Sequence, residues 1–430
     1  MNLGAIICVC LAVIAYALIS NRVGRWPLTP PLAFAAFGFL VGPRALGLAD
    51  IDMSHGTIQL IAEATLILVL FTDAARINLR RLVADHTLPT RMLVVGMPLV
   101  ILLGAVVAYL MFPALGLMGA LLLAAVLAPT DPALSQAVVS DSAVPVRIRQ
   151  AVNVESGLND GIALPVVLAF IALAGAGVPD EAGKQNFLTL GVLQITVSPL
   201  VGIGIGTAGA HLIDRAAATG LSNRTFEGMA VLALAFASFA ISESIGSNGF
   251  IAAFVAGLSF GTVVRNRCPF LFDFMETEGQ LLTLLTFLAF GAAMVPAALP
   301  QVDGWVVAYA VLSLTVVRMI PVSLSLLGSG VGPATHLFLG WFGPRGLASI
   351  LFALLIVEKA GLPFRDEILV ATVATVSLSI IAHGVTSGPL AIRYGARARR
   401  MGECEENMPV PEMRLRHGNP TSGGPRDSDA

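Results

Sequence analysis

The chain has 430 residues, 56% of them hydrophobic and only 12% charged, with a formal net charge of −2. A water-soluble domain carries roughly 25% charged residues, so this composition excludes an ordinary soluble protein, and the near-neutral balance offers none of the basic character that nucleic-acid binding uses. The lipid bilayer is the solvent that fits.

A bilayer-crossing helix needs about 20 predominantly apolar residues. Reading apolar runs between charged or Pro/Gly-rich breaks predicts about 13 spans, near residues 3–20, 29–48, 58–75, 92–111, 116–139, 150–174, 187–212, 226–242, 247–263, 276–297, 304–327, 334–357 and 367–388. The first run lacks a basic flank and a small-residue cleavage site, so it reads as a retained helix and not as a signal peptide. With the N-terminus outside, the inner loops collect the arginine clusters Arg22/Arg25, Arg76 to Arg91, Arg147/Arg149, Arg215/Arg224, Arg265/Arg267 and Arg393 to Arg400. The outer loops hold only Arg44, Lys184, Lys359 and Arg365. That asymmetry is the positive-inside pattern; it places the C-terminus in the cytoplasm. Residues 1–392 are therefore expected to form the membrane domain. Residues 393–430, rich in Glu, Pro, Gly, Ser and Asp, read as a short cytoplasmic tail without packed structure. Cys8, Cys10, Cys268 and Cys404 have neither metal-site nor disulfide spacing and are read as incidental thiols.

In the fifth span the apolar run is broken by Pro129-Thr130-Asp131-Pro132. Two prolines remove backbone donors and disturb the helix, and freed backbone groups at membrane depth persist only where they line a cavity or are covered by protein. A carboxylate beside such a break is a candidate cation site. In the sixth span Glu155, Ser156, Asn159 and Asp160 stand at i, i+1, i+4 and i+5, on one helical face. At a rise of 1.5 Å per residue, Asp131 lies about 12 Å and Asp160 about 15 Å from the inner ends of their spans, so the two are expected near the same depth. The bland alternative for this group is a polar network that only ties helices together.

Two basic residues fall inside spans. Arg318 in the eleventh needs a buried anion at its own depth, for which Glu155 is the first choice; that pairing leaves Asp160 as the titratable carboxylate. Arg345 lies in Trp341-Phe342-Gly343-Pro344-Arg345-Gly346, a second interrupted helix. Asp131 and Arg345 are 214 positions apart, and the same offset pairs the sixth span with the thirteenth, which suggests an inverted repeat of the kind found in secondary transporters. For both arginines a purely structural role is the competing reading. Asp73, near the inner end of the third span, is either a site residue or an interfacial charge, and His383 reads as a core histidine more than as a proton relay. The GxGxxG string at Gly204, Gly206 and Gly209 and the GxSxG string at Gly257, Ser259 and Gly261 lie within apolar spans with no preceding strand, so they read as helix-packing glycines.

Thr130-Asp131-Pro132, Glu155-Ser156-Gly157-Leu158-Asn159-Asp160-Gly161 and Gly343-Pro344-Arg345-Gly346, in this order and spacing, resemble the cation:proton antiporter family, in particular its NhaP-like sodium/proton branch; Phe71-Thr72-Asp73-Ala74 is a weaker match. The resemblance covers residues 5 to 390. It implies an all-α polytopic fold with two broken helices crossing at their centres, and a homodimer whose core bundle moves against a dimerisation domain. It also implies that Asp160 binds cation and proton in turn, that Asp131, Thr130 and Ser156 help form the ion site, that Asn159 holds an unwound helix, and that Glu155 and Arg318 form a structural ion pair.

The expected activity is exchange of a monovalent cation, Na+ before Li+, for H+ across the plasma membrane, with no cofactor and with electroneutral stoichiometry. A K+/H+ exchanger and a passive cation channel remain alternatives. An intramembrane aspartyl protease is disfavoured because its GxGD signature is absent.

Overall fold

The computed structural model describes residues 3–23, 29–48, 56–77, 87–175, 184–264, 269–358, 362–402 and 404–408. Those residues form helices and turns with no strand. The helices are α1 (Leu3–Val23), α2 (Pro30–Val41), α3 (Gly56–Arg76), α4 (Thr87–Met111), α5 (Gly116–Val126), α6 (Gln136–Val139), α7 (Val146–Gly175), α8 (Lys184–Ala218), α9 (Arg224–Ser244), α10 (Gly249–Val264), α11 (Pro269–Ala289), α12 (Gly304–Ser325), α13 (Pro333–Trp341), α14 (Leu347–Glu358) and α15 (Arg365–Arg400). Among the described residues seven helices are long and apolar enough to cross a membrane. Shorter apolar helices accompany them, and the interrupted spans account for two of these, Pro113–Val126 and Leu347–Val357.

Packing sorts the helices into two groups. One gathers α2, α3, α8, α9, α10 and α11; the other gathers α4, α5, α12, α13, α14 and α15, and α7 touches both. In the first group glycines let main chains meet. A Cβ added at Gly257 or Gly261 of α10 would overlap the carbonyl oxygens of Phe71 or Ala75 on α3. The same holds for Gly206 of α8 against Ala256 of α10, and for Gly38 of α2 against Leu288 of α11. Lipid tails are as apolar as leucine, so close backbone approach by small residues, and not water exclusion, drives association of such helices. The two glycine-rich strings are therefore seams between helices.

The narrow break between the eighth and ninth spans is a true corner. α9 ends at Ser244, and α10 is capped by Glu243 Oε1 on the N–H of Gly249 (2.7 Å) and Asn248 Oδ1 on that of Ile251 (3.1 Å).

The Glu155 to Gly161 stretch is regular helix within α7. Two local features differ from the sequence reading. α12 is interrupted at Thr315 (φ −107°, ψ −90°), where no proline or glycine announces a break. Residues 393–400, assigned to the tail, continue α15, because Ala391, Tyr394, Gly395 and Ala398 form a buried stripe at helical spacing while the arginines between them face outward. The tail beyond 408 lies outside the described residues.

Candidate functional site

Two interrupted helices meet through their non-helical middles. α5 stops at Val126 and the chain runs without helix through Ala128 to Asp131; α13 stops at Trp341 and the chain runs through Phe342 to Gly346 before α14 begins. The two segments are hydrogen-bonded to each other: the Asp131 N–H donates to the carbonyl of Pro344 at 2.8 Å.

Each segment leaves helix ends with unsatisfied groups, N–H at the start of α14 and C=O at the end of α5. The charged side chains meet them crosswise. Asp131 Oδ2 accepts the N–H of Leu347 at 2.7 Å, capping α14, while its Oδ1 accepts that of Ala133 at 2.8 Å. Arg345 Nη1 donates to the carbonyls of Ala128 and of Pro129, the latter at 3.1 Å. A carboxylate at a helix N-terminus and a cation at a C-terminus are the favoured signs for the helix dipole. Gly346 permits the approach, since a Cβ there would overlap Asp131 Oδ2. Ser349 Oγ, donating to the Val126 carbonyl at 2.8 Å, adds a further tie.

The residue before Asp131 joins the crossing to α7. Thr130 Oγ1 accepts from Asn159 Nδ2 at 2.6 Å and lies 3.0 Å from Ser156 Oγ. Asp160 is the next residue on α7 and is 6% exposed, so its carboxyl is largely withdrawn from water beside the break in the α5 chain. Pro165 has no N–H, so the carbonyl of Gly161 cannot receive the usual helical bond from it. The Ser156 hydroxyl, the Asn159 amide, the Asp160 carboxyl and the Gly161 carbonyl thus stand on one short stretch of α7 facing the Thr130 hydroxyl, and their oxygens are of the kind hard cations accept. On its other side Gly161 abuts the Phe254 ring of α10, which a Cβ would overlap.

Glu155, on the same helix, meets Arg318 of α12: Nη2 lies 2.6 Å from Oε1 and 2.7 Å from Oε2, and both side chains are at most 2% exposed. Neither charge could be held alone at that burial without a cost of several kcal/mol.

The remaining sequence candidates lie around this centre. Asp73 is buried on α3, two residues from the Phe71 carbonyl that meets Gly257 and one turn before Ile77, which packs with Val154 and Leu158 of α7. His383 serves the crossing from α15: Nε2 is 2.9 Å from the Trp341 carbonyl at the end of α13, and Nδ1 is 3.0 Å from the Ser379 carbonyl. Ser379 Oγ accepts the Arg345 N–H at 2.7 Å. Phe254, Ser379 and Ser349 are contributors that sequence reasoning misses. Each is an ordinary residue in an apolar run, and only the meeting of distant segments marks it.

A bundle of membrane-length helices, two of them interrupted and crossed with buried charges on the free helix ends, defines a secondary transporter. The chain belongs to the sodium/hydrogen exchanger family: the profile described as "Sodium/hydrogen exchanger, transmembrane" matches residues 9–393. It is accordingly a transporter and not an enzyme. The K(+)/H(+) antiporter NhaP of Alkalimonas amylolytica is 27% identical over 402 residues, which are 92% of this chain and 67% of that protein. The Na(+)/H(+) antiporter ApNhaP of Aphanothece halophytica is 27% identical over 406 residues, 89% of this chain and 72% of that one. The solved structure of the sodium proton antiporter MjNhaP1 from Methanocaldococcus jannaschii at pH 8 matches with a TM-score of 0.73 at 19% identity, covering 91% of this chain and 98% of that chain; this is a likeness of fold.

Proposed function

We propose that the protein exchanges Na+ for H+ across the plasma membrane by alternating access, with cation and proton competing for Asp160. The observation that carries this reading is the position of Asp160: a buried carboxyl on α7, adjacent to the Asn159–Thr130–Ser156 cluster and to a helix break at membrane depth. Burial disfavours a bare carboxylate, so either a proton or a cation must neutralise the group before the bundle moves. Thr130, Ser156 and Asn159 supply or orient neutral oxygen ligands. Asp131 and Arg345 hold the crossing, because both Asp131 oxygens accept backbone N–H groups and Arg345 Nη1 donates to two carbonyls at the end of α5. Glu155 and Arg318 form an ion pair that fixes α7 against α12, and Asp73 flanks the site from α3.

One proton for one cation makes the exchange electroneutral. In the cell the chain works as a homodimer with its N-terminus outside and its arginine-rich end, including the C-terminus, in the cytoplasm, as the loop asymmetry favours. K+ as the cation is the second reading, favoured by the K(+)/H(+) antiporter name of the Alkalimonas relative.

The test uses proteoliposomes with an acidic lumen and a pH-sensitive dye, to which Na+, Li+ or K+ is added, with Asp160→Asn in parallel. Collapse of the gradient by one cation in the wild type but not in the variant supports exchange at Asp160 and identifies the ion. Equal responses in both proteins, or none in either, overturn it.

A further inference from the structure

After α15 the chain turns back onto the bundle at residues 404–408, and the contacts it makes are specific. Glu406 is 1% exposed. Its Oε1 accepts the N–H of Gly332 at 2.7 Å and the hydroxyl of Thr335 at 2.8 Å, and Thr335 Oγ1 lies 2.9 Å from the Tyr394 hydroxyl. Gly332 is the N-cap residue of α13 and has no side chain with which to cap it; Pro333 follows. The free N–H of Gly332 at that helix start therefore finds its carboxylate more than seventy residues further along the chain.

The neighbours of Glu406 extend the arrangement. Glu405 receives Arg147, from the first turn of α7, on both its carboxylate and its backbone carbonyl, while Arg147 Nη2 donates to Thr87 Oγ1 at the start of α4 (3.1 Å). Asn407 Nδ2 closes the end of α15 by donating to the carbonyls of Ala398 (2.9 Å) and Gly402 (2.7 Å). The loop between α12 and α13 is shaped around the segment: Gly330 has φ +86°, and a Cβ on it would stand 2.7 Å from Glu405 Cγ.

Three consecutive residues thus tie together the starts of α4, α7 and α13 and the end of α15. Two of those helices lead directly to the site. α13 is nine residues long, about 13 Å at 1.5 Å per residue, and its far end opens into the segment carrying Arg345. α7 carries Glu155, Ser156, Asn159 and Asp160. We propose that Glu406 is a positioning residue for ion exchange, fixing the half-helix α13 by capping it and, through the adjacent Glu405–Arg147 bridge, setting it against the helix that bears Asp160. The assignment rests on the exchange activity proposed above. Among the described residues, the segment's hydrogen bonds reach α7, α13, α15 and the loop before α13, and through Arg147 the start of α4.

The experiment compares Glu406→Ala and Glu406→Gln with the wild type in proteoliposomes, measuring maximal rate and half-saturating Na+ and K+, together with hydrogen exchange of the amides of residues 335–342 in the full chain. Loss of a cap is worth about a fivefold change in an equilibrium. Glu406→Ala is therefore expected to raise the half-saturating cation concentration and to speed amide exchange about fivefold each. Glu406→Gln keeps an accepting oxygen and is expected to restore both to within about twofold. An unchanged half-saturating concentration in Glu406→Ala, whatever happens to yield or amide exchange, overturns the positioning role. If the wild type itself moves no protons, the exchange reading fails instead; the amide measurement then still decides, because unchanged protection in Glu406→Ala removes the cap as well.

Discussion

Gly343 lies against the guanidinium group of Arg318, so close that a methyl group on its α-carbon would overlap Nε. The glycine belongs to the α13–α14 break, and the arginine is the partner of Glu155. The open stretch of backbone and the buried ion pair therefore occupy adjoining space, and neither can change without the other.

Gly343→Ala is expected to displace Arg318 and strain its pairing with Glu155, lowering stability by about 1–3 kcal/mol, the usual range for overpacking. Thermal unfolding in detergent measures this. Arg318→Met leaves Glu155 buried with no counter-charge and is expected to cost more, about 3–5 kcal/mol. A Gly343→Ala protein as stable as the wild type would show that the ring of contacts is loose.

The seam between α8 and α10 makes a discriminating pair within one glycine string. A Cβ on Gly206 overlaps the Ala256 backbone, whereas nothing lies within 4 Å of one on Gly204. Gly204→Ala should be neutral or slightly stabilising, since alanine is the better helix former by about 1 kcal/mol. Gly206→Ala should reduce folded yield sharply. Fluorescence-detected size exclusion of the two variants tests the contrast, and equal behaviour would contradict the seam.

Thr130→Val removes the acceptor of the Asn159 amide and the partner of the Ser156 hydroxyl while keeping side-chain volume. A buried donor left unsatisfied costs about 1–3 kcal/mol. The half-saturating cation concentration is expected to rise at least fivefold on that scale, with Thr130→Ser close to wild type. Transport assays across a cation titration distinguish the two.

Asp131→Asn must present its NH2 to either the Ala133 or the Leu347 N–H, donor facing donor, at a cost of about 1–3 kcal/mol. Arg345→Gln frees the Ala128 and Pro129 carbonyls. Because each charge serves the helix end next to the other, the double variant should be less unstable than the sum of the singles. Strict additivity in a double-mutant cycle would mean that the two caps act separately.

Acid should loosen the C-terminal segment. Burial raises the Glu406 carboxyl, but the hydrogen bonds it accepts from the N–H of Gly332, its own backbone, Thr335 and Cys404 outweigh that and hold it below its ordinary value of 4.5. A depressed carboxyl contributes stability that is complete above its unfolded value and is lost as pH falls through the folded one. Amide protection over residues 335–342 should accordingly be flat through neutral pH and decline only below about pH 4.5. In Glu406→Gln that decline should be absent.

Much of the site is legible in the sequence because charge is rare in an apolar chain. A guanidinium at the depth of Arg318 requires an anion at the same depth, and Glu155 is reached by counting residues at helical rise. The Pro129 to Pro132 break is legible because proline cannot donate. What stays hidden is set by tertiary contact. The resemblance places Asp131 in the ion site, but nothing in the sequence announces that both its oxygens also accept backbone N–H groups, one of them on a helix more than two hundred residues away. The Thr315 break has no local signature. The clasp at Glu405–Asn407 lies in a stretch whose composition points to a loose tail, and only tertiary contact, Arg147 for Glu405 and the uncapped start of α13 for Glu406, gives those acidic residues a place to bind.

The crossing gathers three buried carboxyls, Asp131, Glu155 and Asp160, around two buried guanidinium groups, Arg318 and Arg345. With every group ionised the cluster has one surplus negative charge. A proton cancels it, and so does any alkali-metal ion; a divalent ion would leave an excess positive charge, in surroundings where an uncompensated charge costs several kcal/mol. On the proposed exchange at Asp160, valence would be filtered by the head count of these fixed charges, before ionic radius is sensed at all. On the same proposal, discrimination among Na+, Li+ and K+ would fall to the neutral oxygens of Thr130, Ser156 and Asn159, which add no charge of their own.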